Sequence, residues 1–148
     1  MKPRLMTKYC FSICSVLVPV PVPVPVLVLV LFALFVWHAL QTSASFGFNS
    51  ASGNYRLEYV RIDPPSPFYN LAYMRVIDLK HSDQVFRSPV ADAESLEMRA
   101  IETRDEVGVS FLRFNKVQHR FNVLIPGWEE SFLNIFVSNT PYDVSADE

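Results

Sequence analysis

Hydrophobic residues follow two different patterns along the chain. Residues 9–40 carry no Lys, Arg, Asp or Glu, and inside this stretch Val occupies every even position from Val16 to Val30, alternating with Pro or Leu. From about residue 53 onward, short runs of β-branched and aromatic residues alternate with polar residues and end at Gly, Pro, Asn or Asp. The first pattern predicts a membrane segment, and the second predicts β-strands.

The apolar segment is longer than the core of a cleaved signal peptide. Phe11–Leu40 is 30 residues long, whereas a signal core takes about 7–15 residues and a membrane helix about 20. Alternating prolines disfavour a helix in the Val-Pro run, so Leu27–Leu40 is the predicted continuous helix. At about 21 Å it is shorter than the ~30 Å hydrocarbon core, so the membrane helix must either include part of the Val-Pro run in kinked form or thin the bilayer locally. We therefore expect a retained transmembrane anchor over residues 9–40. The alternative is a signal peptide cleaved after Ala44, because Thr42-Ser43-Ala44 offers the small residues that such a site needs.

Charge near the N-terminus predicts the orientation of this anchor. Three basic residues precede the apolar segment with no acidic residue among them: Lys2, Arg4 and Lys8. Such residues stay on the cytoplasmic side of a membrane. Residues 1–8 are then cytoplasmic, Trp37 and His38 lie at the outer interface, and the chain is a single-pass protein of the inner membrane. In a bacterium, the C-terminal domain is then periplasmic.

The remaining sequence divides into a linker (41–52), a β domain (53–138) and an acidic, flexible tail (139–148). The predicted strands are Tyr55–Ile62, Leu71–Leu79, Gln84–Arg87, Val107–Phe114, His119–Ile125 and Phe132–Val137. Residues 92–104 are compatible with a strand or a helix, and the surrounding strands favour a strand. The predicted fold class is mainly β, a small antiparallel β-sandwich or meander that follows one N-terminal transmembrane segment.

The alternation of apolar and polar residues within these runs also predicts the core, because every second side chain of a strand points to the same face. The predicted members are Tyr55, Leu57, Val76, Ile77, Leu79, Val85, Phe86, Val109, Phe111, Phe121, Val123, Ile125, Phe132, Ile135 and Val137.

Charge and cysteine content narrow the range of functions. From Gly47 onward, ten Lys and Arg stand against fifteen Asp and Glu, a net charge of -5 with no basic cluster, which argues against a nucleic-acid partner. Both cysteines, Cys10 and Cys14, lie in the apolar segment, so the domain has no Cys pair for a disulfide or a metal site. His81 and His119 have unrelated surroundings, which makes them a poor pair of metal ligands. We predict no cofactor, no metal, no small-molecule substrate and no catalytic residues.

Aromatic residues in two loops are the candidates for binding. Phe68 and Tyr69 end a stiff loop that contains three prolines, and Trp128 follows Pro126-Gly127 with Phe132 close behind. Rigid loops that present aromatic rings make good protein-binding anchors. The alternative is that these rings fold back and cover the open ends of the sandwich.

Three segments carry a resemblance to other proteins: Ser50–Glu58, Tyr73–Asp78 and Phe121–Pro126. Together with the short membrane segment, they resemble a group of uncharacterised bacterial inner-membrane proteins that have one N-terminal anchor and a small β-rich periplasmic domain. The resemblance covers roughly Ser50 to Pro126 and implies no particular activity. Some proteins of this size and shape look like immunity proteins that neutralise toxins delivered into the periplasm.

These patterns together indicate a non-enzymatic, membrane-anchored periplasmic module that binds another protein, either an envelope component or an incoming toxin. A second hypothesis is a structural or accessory subunit that acts inside the membrane through its anchor.

Overall fold

The structure, a computed structural model, describes residues 23–62 and 70–145. In chain order its elements are α1 (Val24–Gln41), β1 (Phe46–Asn49), β2 (Tyr55–Arg61), β3 (Leu71–Asp78), β4 (Val85–Arg87), β5 (Ala91–Asp92), β6 (Ile101–Glu102), β7 (Glu106–Val109), β8 (Leu112–Asn115), β9 (Arg120–Val123), α2 (Asn134–Val137) and β10 (Tyr142–Val144).

The strands form two sheets. Sheet A has the order β1-β2-β3-β4, and β5 pairs with β3 as well, whereas sheet B has the order β10-β9-β8-β7-β6. All pairs are antiparallel except β10 with β9. The mainly β fold class with one N-terminal apolar helix is therefore confirmed.

The two sheets pack face to face around a shared core. Leu57, Met74 and Val76 contribute to it from sheet A, and Phe114 and Phe121 contribute from sheet B. Each of these side chains is at most 1% exposed. Their spacing follows the two-residue period of a strand, which is why sequence alternation predicts most of them.

A second core covers the other face of sheet A. Val60, Ile62 and Tyr73 come from strands β2 and β3 or their immediate ends, and Tyr73 is 0% exposed. Ala39 of α1 and Val137 of α2 close this cluster from outside the sheet. The end of the apolar helix is therefore part of the packed domain.

The helix α1 begins at Val24, three residues before the predicted start at Leu27. Pro25 lies in its first turn, where a missing N–H costs no helical hydrogen bond. The 18 residues of α1 span about 27 Å at 1.5 Å per residue, close to the ~30 Å hydrocarbon core of a bilayer. The rest of the Val-Pro run, before Pro23, lies outside the described residues.

The predicted strand Val107–Phe114 is wrong, because the chain turns inside it. Val109 pairs with Leu112 across a two-residue turn, so the segment supplies both β7 and β8. Gly108 allows the close approach, since a Cβ there would collide with the backbone of Leu112 and Arg113. The turn residues, Ser110 and Phe111, are not the Gly and Asn residues that mark most tight hairpins, so the sequence pattern does not predict this turn.

The predicted strand Phe132–Val137 is also wrong. Asn134–Val137 forms the single-turn helix α2, and Leu133 and Val137, four residues apart, point together into the second core. Phe132 and Ile135 are consequently 52% and 80% exposed, so their predicted burial is wrong. Leu79, 42% exposed, is a third predicted core residue that lies at the surface.

Three further segments differ from the sequence prediction. Residues 92–104 form neither one strand nor a helix, because only their ends join strands, β5 and β6, with turns and irregular chain between them. The predicted linker, 41–52, contains β1, which pairs with β2. The predicted flexible tail, 139–148, contains β10, which pairs in parallel with β9 after the chain returns through α2.

A partly buried carboxylate connects the β1–β2 loop of sheet A to sheet B. Glu102 of β6 accepts hydrogen bonds from the Ser52 N–H and hydroxyl, each at 2.7 Å, and from Lys116 Nζ at 2.9 Å. Burial alone raises the pKa of Glu102, but the hydrogen bonds from Ser52 and Lys116 outweigh this effect and lower the pKa to about 2.

We predict that Glu102 makes the stability of the domain sensitive to acid. A carboxylate with a lowered folded-state pKa stabilises the fold above its unfolded value near 4.5, and this contribution is lost as the pH falls from there toward 2. Over that pH interval, urea unfolding in detergent should show that the free energy of unfolding falls by on the order of 2 kcal/mol more for wild type than for Glu102→Gln. Equal pH dependence of the two proteins would contradict the role of Glu102.

Candidate anchor junction and binding groove

The helix α1 has the surface of a lipid-facing helix. Its apolar side chains are mostly exposed, as in Val24 (72%) and Leu29 (65%), and Ala39 is its one buried residue. Within the described residues, α1 is the one helix that is long and apolar enough to cross a membrane. Large exposed apolar surfaces of this kind mark a membrane or a protein partner.

The domain caps the C-terminal end of α1. The last carbonyls of a helix have no partner within it, and here other side chains supply partners. Tyr73 donates its hydroxyl to the Ala39 carbonyl at 3.2 Å, and Thr42 Oγ1 donates to the His38 carbonyl at 2.8 Å. Arg75 Nη2 donates to the Thr42 carbonyl at 3.3 Å. Strand β3 therefore holds the end of the apolar helix by hydrogen bonds as well as by packing.

Of the four predicted binding aromatics, Trp128 and Phe132 fall within the described residues. Phe68 and Tyr69 lie outside the described residues. Trp128 is half-buried, packs against the core between the sheets and donates its indole N–H to the Val90 carbonyl at 3.1 Å. Phe132 contacts Phe32 of α1, with 6.4 Å between ring centroids. The structure does not bring Trp128 and Phe132 into one patch.

Trp128 lines a groove of about 290 Å³, which we call the Trp128 groove. Its lining includes the apolar residues Leu71, Ala91 and Ile125 and the exposed acidic residues Asp92 and Glu129. The groove is formed by β5, the start of β3 and the loop that follows β9. It combines an apolar surface with negative charge at one place on the domain.

Tyr142 of β10 contacts Trp128 but is not one of the residues that line the Trp128 groove. Its ring meets the Trp128 ring edge to face at 5.8 Å, and its hydroxyl donates to Glu130 at 2.6 Å and accepts from Asn134 at 3.4 Å. Burial and the hydrogen bond to Glu130 raise the pKa of Tyr142. Sequence analysis missed this residue because it lies in the segment predicted to be a flexible tail.

The two histidines of the domain have different surroundings. His81 Nδ1 is 3.2 Å from Asp78 Oδ2 in the turn after β3, and His119 lies beside the rings of Phe86 and Phe114. Over residues 23–62 and 70–145, no three His, Cys, Asp or Glu side chains are grouped to hold a metal ion.

We predict that Tyr73→Phe loosens the junction between α1 and the domain. The Ala39 carbonyl would lose its buried partner, at a cost of about 1–3 kcal/mol. Thermal unfolding in detergent should show this loss, and proteinase K should cut residues 42–45 faster. Tyr59→Phe is the control, because its hydroxyl contacts the Ala93 carbonyl instead and its removal should leave that cleavage unchanged. Unchanged cleavage in Tyr73→Phe would refute the capping role.

We predict that β10 fixes the conformation of Trp128. In a Trp37→Phe background Trp128 is the remaining tryptophan of the two in the chain. Tyr142→Ala should shift its fluorescence emission to longer wavelength and increase quenching by acrylamide, because the indole loses its covering ring. Tyr142→Phe keeps the ring and removes the hydroxyl, so it should cause a smaller change. Identical spectra for Tyr142→Ala and the parent would disprove this support.

Comparison with known proteins finds no matching family model, no similar curated protein and no similar solved structure. The resemblance of Ser50–Pro126 to small bacterial inner-membrane proteins therefore stays a prediction.

Proposed function

We propose that this chain is a single-pass, membrane-anchored domain that binds another protein through the Trp128 groove and catalyses no reaction. The observation that carries the proposal is the groove itself, in which apolar and acidic residues lie beside an aromatic ring that a hydrogen bond holds in position. Tryptophan is one of the residues enriched among those that contribute most binding energy to protein interfaces.

The packing of α1 supports a retained anchor over a cleaved signal. Cleavage after Ala44 would remove Ala39 and Phe32 from the second core and leave Tyr73, Val60 and Leu133 without part of their cover. Exposing such side chains costs roughly 1.5–3 kcal/mol for each one fully uncovered. The basic residues before the apolar segment support a cytoplasmic N-terminus, and the domain then lies in the periplasm.

The charge of the domain suggests the chemistry of the partner. From Gly47 onward the net charge is -5, and Asp92 and Glu129 place part of that charge at the groove. A partner that presents Lys or Arg beside an apolar side chain would match both features, because opposite charges accelerate encounter and apolar burial holds the complex. An envelope protein or a basic toxin delivered into the periplasm would meet this requirement.

We predict that a photo-crosslinker at position 129 captures a specific protein in cells. Benzoylphenylalanine replaces Glu129 in the full-length chain, and the control position is Val117, which is 74% exposed in the β8–β9 turn outside the groove. A discrete crosslinked species should form from position 129 and not from position 117. The same species from both positions, or none from position 129, would count against the proposal.

Charge removal then tests whether the groove binds that partner by its acidic residues. With the crosslinker moved to Ser131, another groove residue, the pair Asp92→Asn and Glu129→Gln should lower the yield of the species at least several-fold. The pair Asp83→Asn and Glu97→Gln removes the same charge from exposed positions outside the groove and should leave the yield unchanged. An equal fall for both pairs would assign the effect to net charge alone.

A further inference from the structure

The outer side of α2 presents a cluster of large apolar side chains, which we call the α2 apolar face. Its members are Phe132, Ile135 and Phe136, which are 52%, 80% and 42% exposed. No charged residue occurs from Ser131 to Tyr142. A water-facing helical turn normally carries polar residues here, so this face is suited to an apolar environment.

The α2 apolar face is continuous with the surface of α1. The Phe136 ring meets the Phe32 ring edge to face at 5.1 Å, and the Phe132 ring stacks on Phe32 at 6.4 Å. A hollow of about 270 Å³ runs between the two helices, and its lining is entirely of apolar residue types: Phe32, Ala33, Val36, Trp37, Leu40 and Phe136. The exposed apolar surface of the anchor therefore extends onto the domain.

The position of Phe32 along α1 gives the depth of this contact. Trp37 is 66% exposed and belongs at the outer interface, where tryptophan is enriched in membrane proteins. Phe32 precedes it by five residues, which places Phe32 about 7.5 Å deeper along the helix axis. The rings of Phe132 and Phe136 therefore touch a part of α1 that lies on the hydrocarbon side of Trp37.

The Asn134 side chain and the last carbonyl of α2 are bonded within the domain, as an apolar environment requires of polar groups. Asn134 is 4% exposed, and its Oδ1 accepts from the Val90 N–H at 2.8 Å. Arg87 Nε donates to the Val137 carbonyl at 2.8 Å, which satisfies the last turn of the helix. The side of α2 that carries hydrogen bonds therefore faces inward, and the side that carries rings faces outward.

We propose that the α2 apolar face inserts into the outer leaflet of the same bilayer that α1 spans, with lipid acyl chains against Phe132, Ile135 and Phe136. This inference rests on the proposed membrane anchor. The domain then contacts the membrane at two points, α1 and α2, and keeps one orientation. Because Glu129 precedes Phe132 by three residues, the part of the Trp128 groove that Glu129 and Ser131 line then lies close to the lipid surface.

The test measures lipid contact at single positions of the full-length chain. Cysteines replace Ile135, Leu29 or Val117 one at a time in a Cys10→Ser, Cys14→Ser background, and each is labelled with the environment-sensitive fluorophore NBD. The proteins are reconstituted in phosphatidylcholine vesicles with or without doxyl-labelled lipids. Leu29 reports the anchor, and Val117, 74% exposed in the β8–β9 turn, reports the water-facing domain.

The proposal expects NBD at position 135 to emit at shorter wavelength than at position 117 and to be quenched by doxyl lipids several-fold more strongly. Iodide should quench the two positions in the opposite order. Equal thermal unfolding of the labelled variants confirms folding, since Ile135 and Val117 are 80% and 74% exposed.

Each other outcome overturns the inference in a distinguishable way. Lipid quenching at position 29 without quenching at position 135 would keep the anchor and refute insertion of α2. No quenching at either position would refute the anchor as well. A short-wavelength emission at position 135 without lipid quenching would mean that protein, such as a second copy of the chain, covers the α2 apolar face in place of lipid.

Discussion

The structure depends on strand β3 being covered on both faces. Met74 and Val76 point into the core between the sheets, while Tyr73 points to the opposite side, against α1 and α2. A two-sheet sandwich normally covers one face of each sheet and leaves the other to water. Here a strand with apolar residues on both faces needs a third layer, and Ala39 of the apolar helix helps to provide it. The helix is therefore a structural part of the domain as well as a candidate anchor.

This third layer couples the direction of α1 to the orientation of the domain. Four residues, 42–45, separate α1 from β1. Tyr73 donates to the Ala39 carbonyl in the last turn of α1, and Arg75 donates to the Thr42 carbonyl at the start of the connection. A domain on a long linker would sample many orientations. Here strand β3 bonds to the end of α1, so the domain keeps one orientation relative to the helix. The fold therefore determines which side of the domain faces the end of α1. That side carries α2.

Sequence alternation predicts the parts of the fold that rest on strand periodicity alone. Leu57, Val76, Phe121 and Val123 are buried where a two-residue period places them. The sequence predictions are wrong in segments where a tertiary contact, and not the two-residue period of a strand, determines the conformation. The turn at residues 110–111 depends on the missing Cβ of Gly108, and α2 is helical because Leu133 and Val137 must reach the same core. The acidic C-terminal segment joins the sheet because the chain returns to β9 after α2.

At the candidate site, too, local sequence predicts which residue matters, and tertiary contacts determine its geometry. A turn signal identified Trp128, but its geometry depends on Val90 and Tyr142, which are 38 and 14 residues away in sequence. The Val90 carbonyl accepts from Trp128, while the Val90 N–H donates to Asn134, which also contacts the Tyr142 hydroxyl. The groove and α2 thus share one network of buried and part-buried hydrogen bonds, in which the loss of one member leaves another without its partner. Through this network, the placement of α2 against the anchor and the shape of the Trp128 groove are set together.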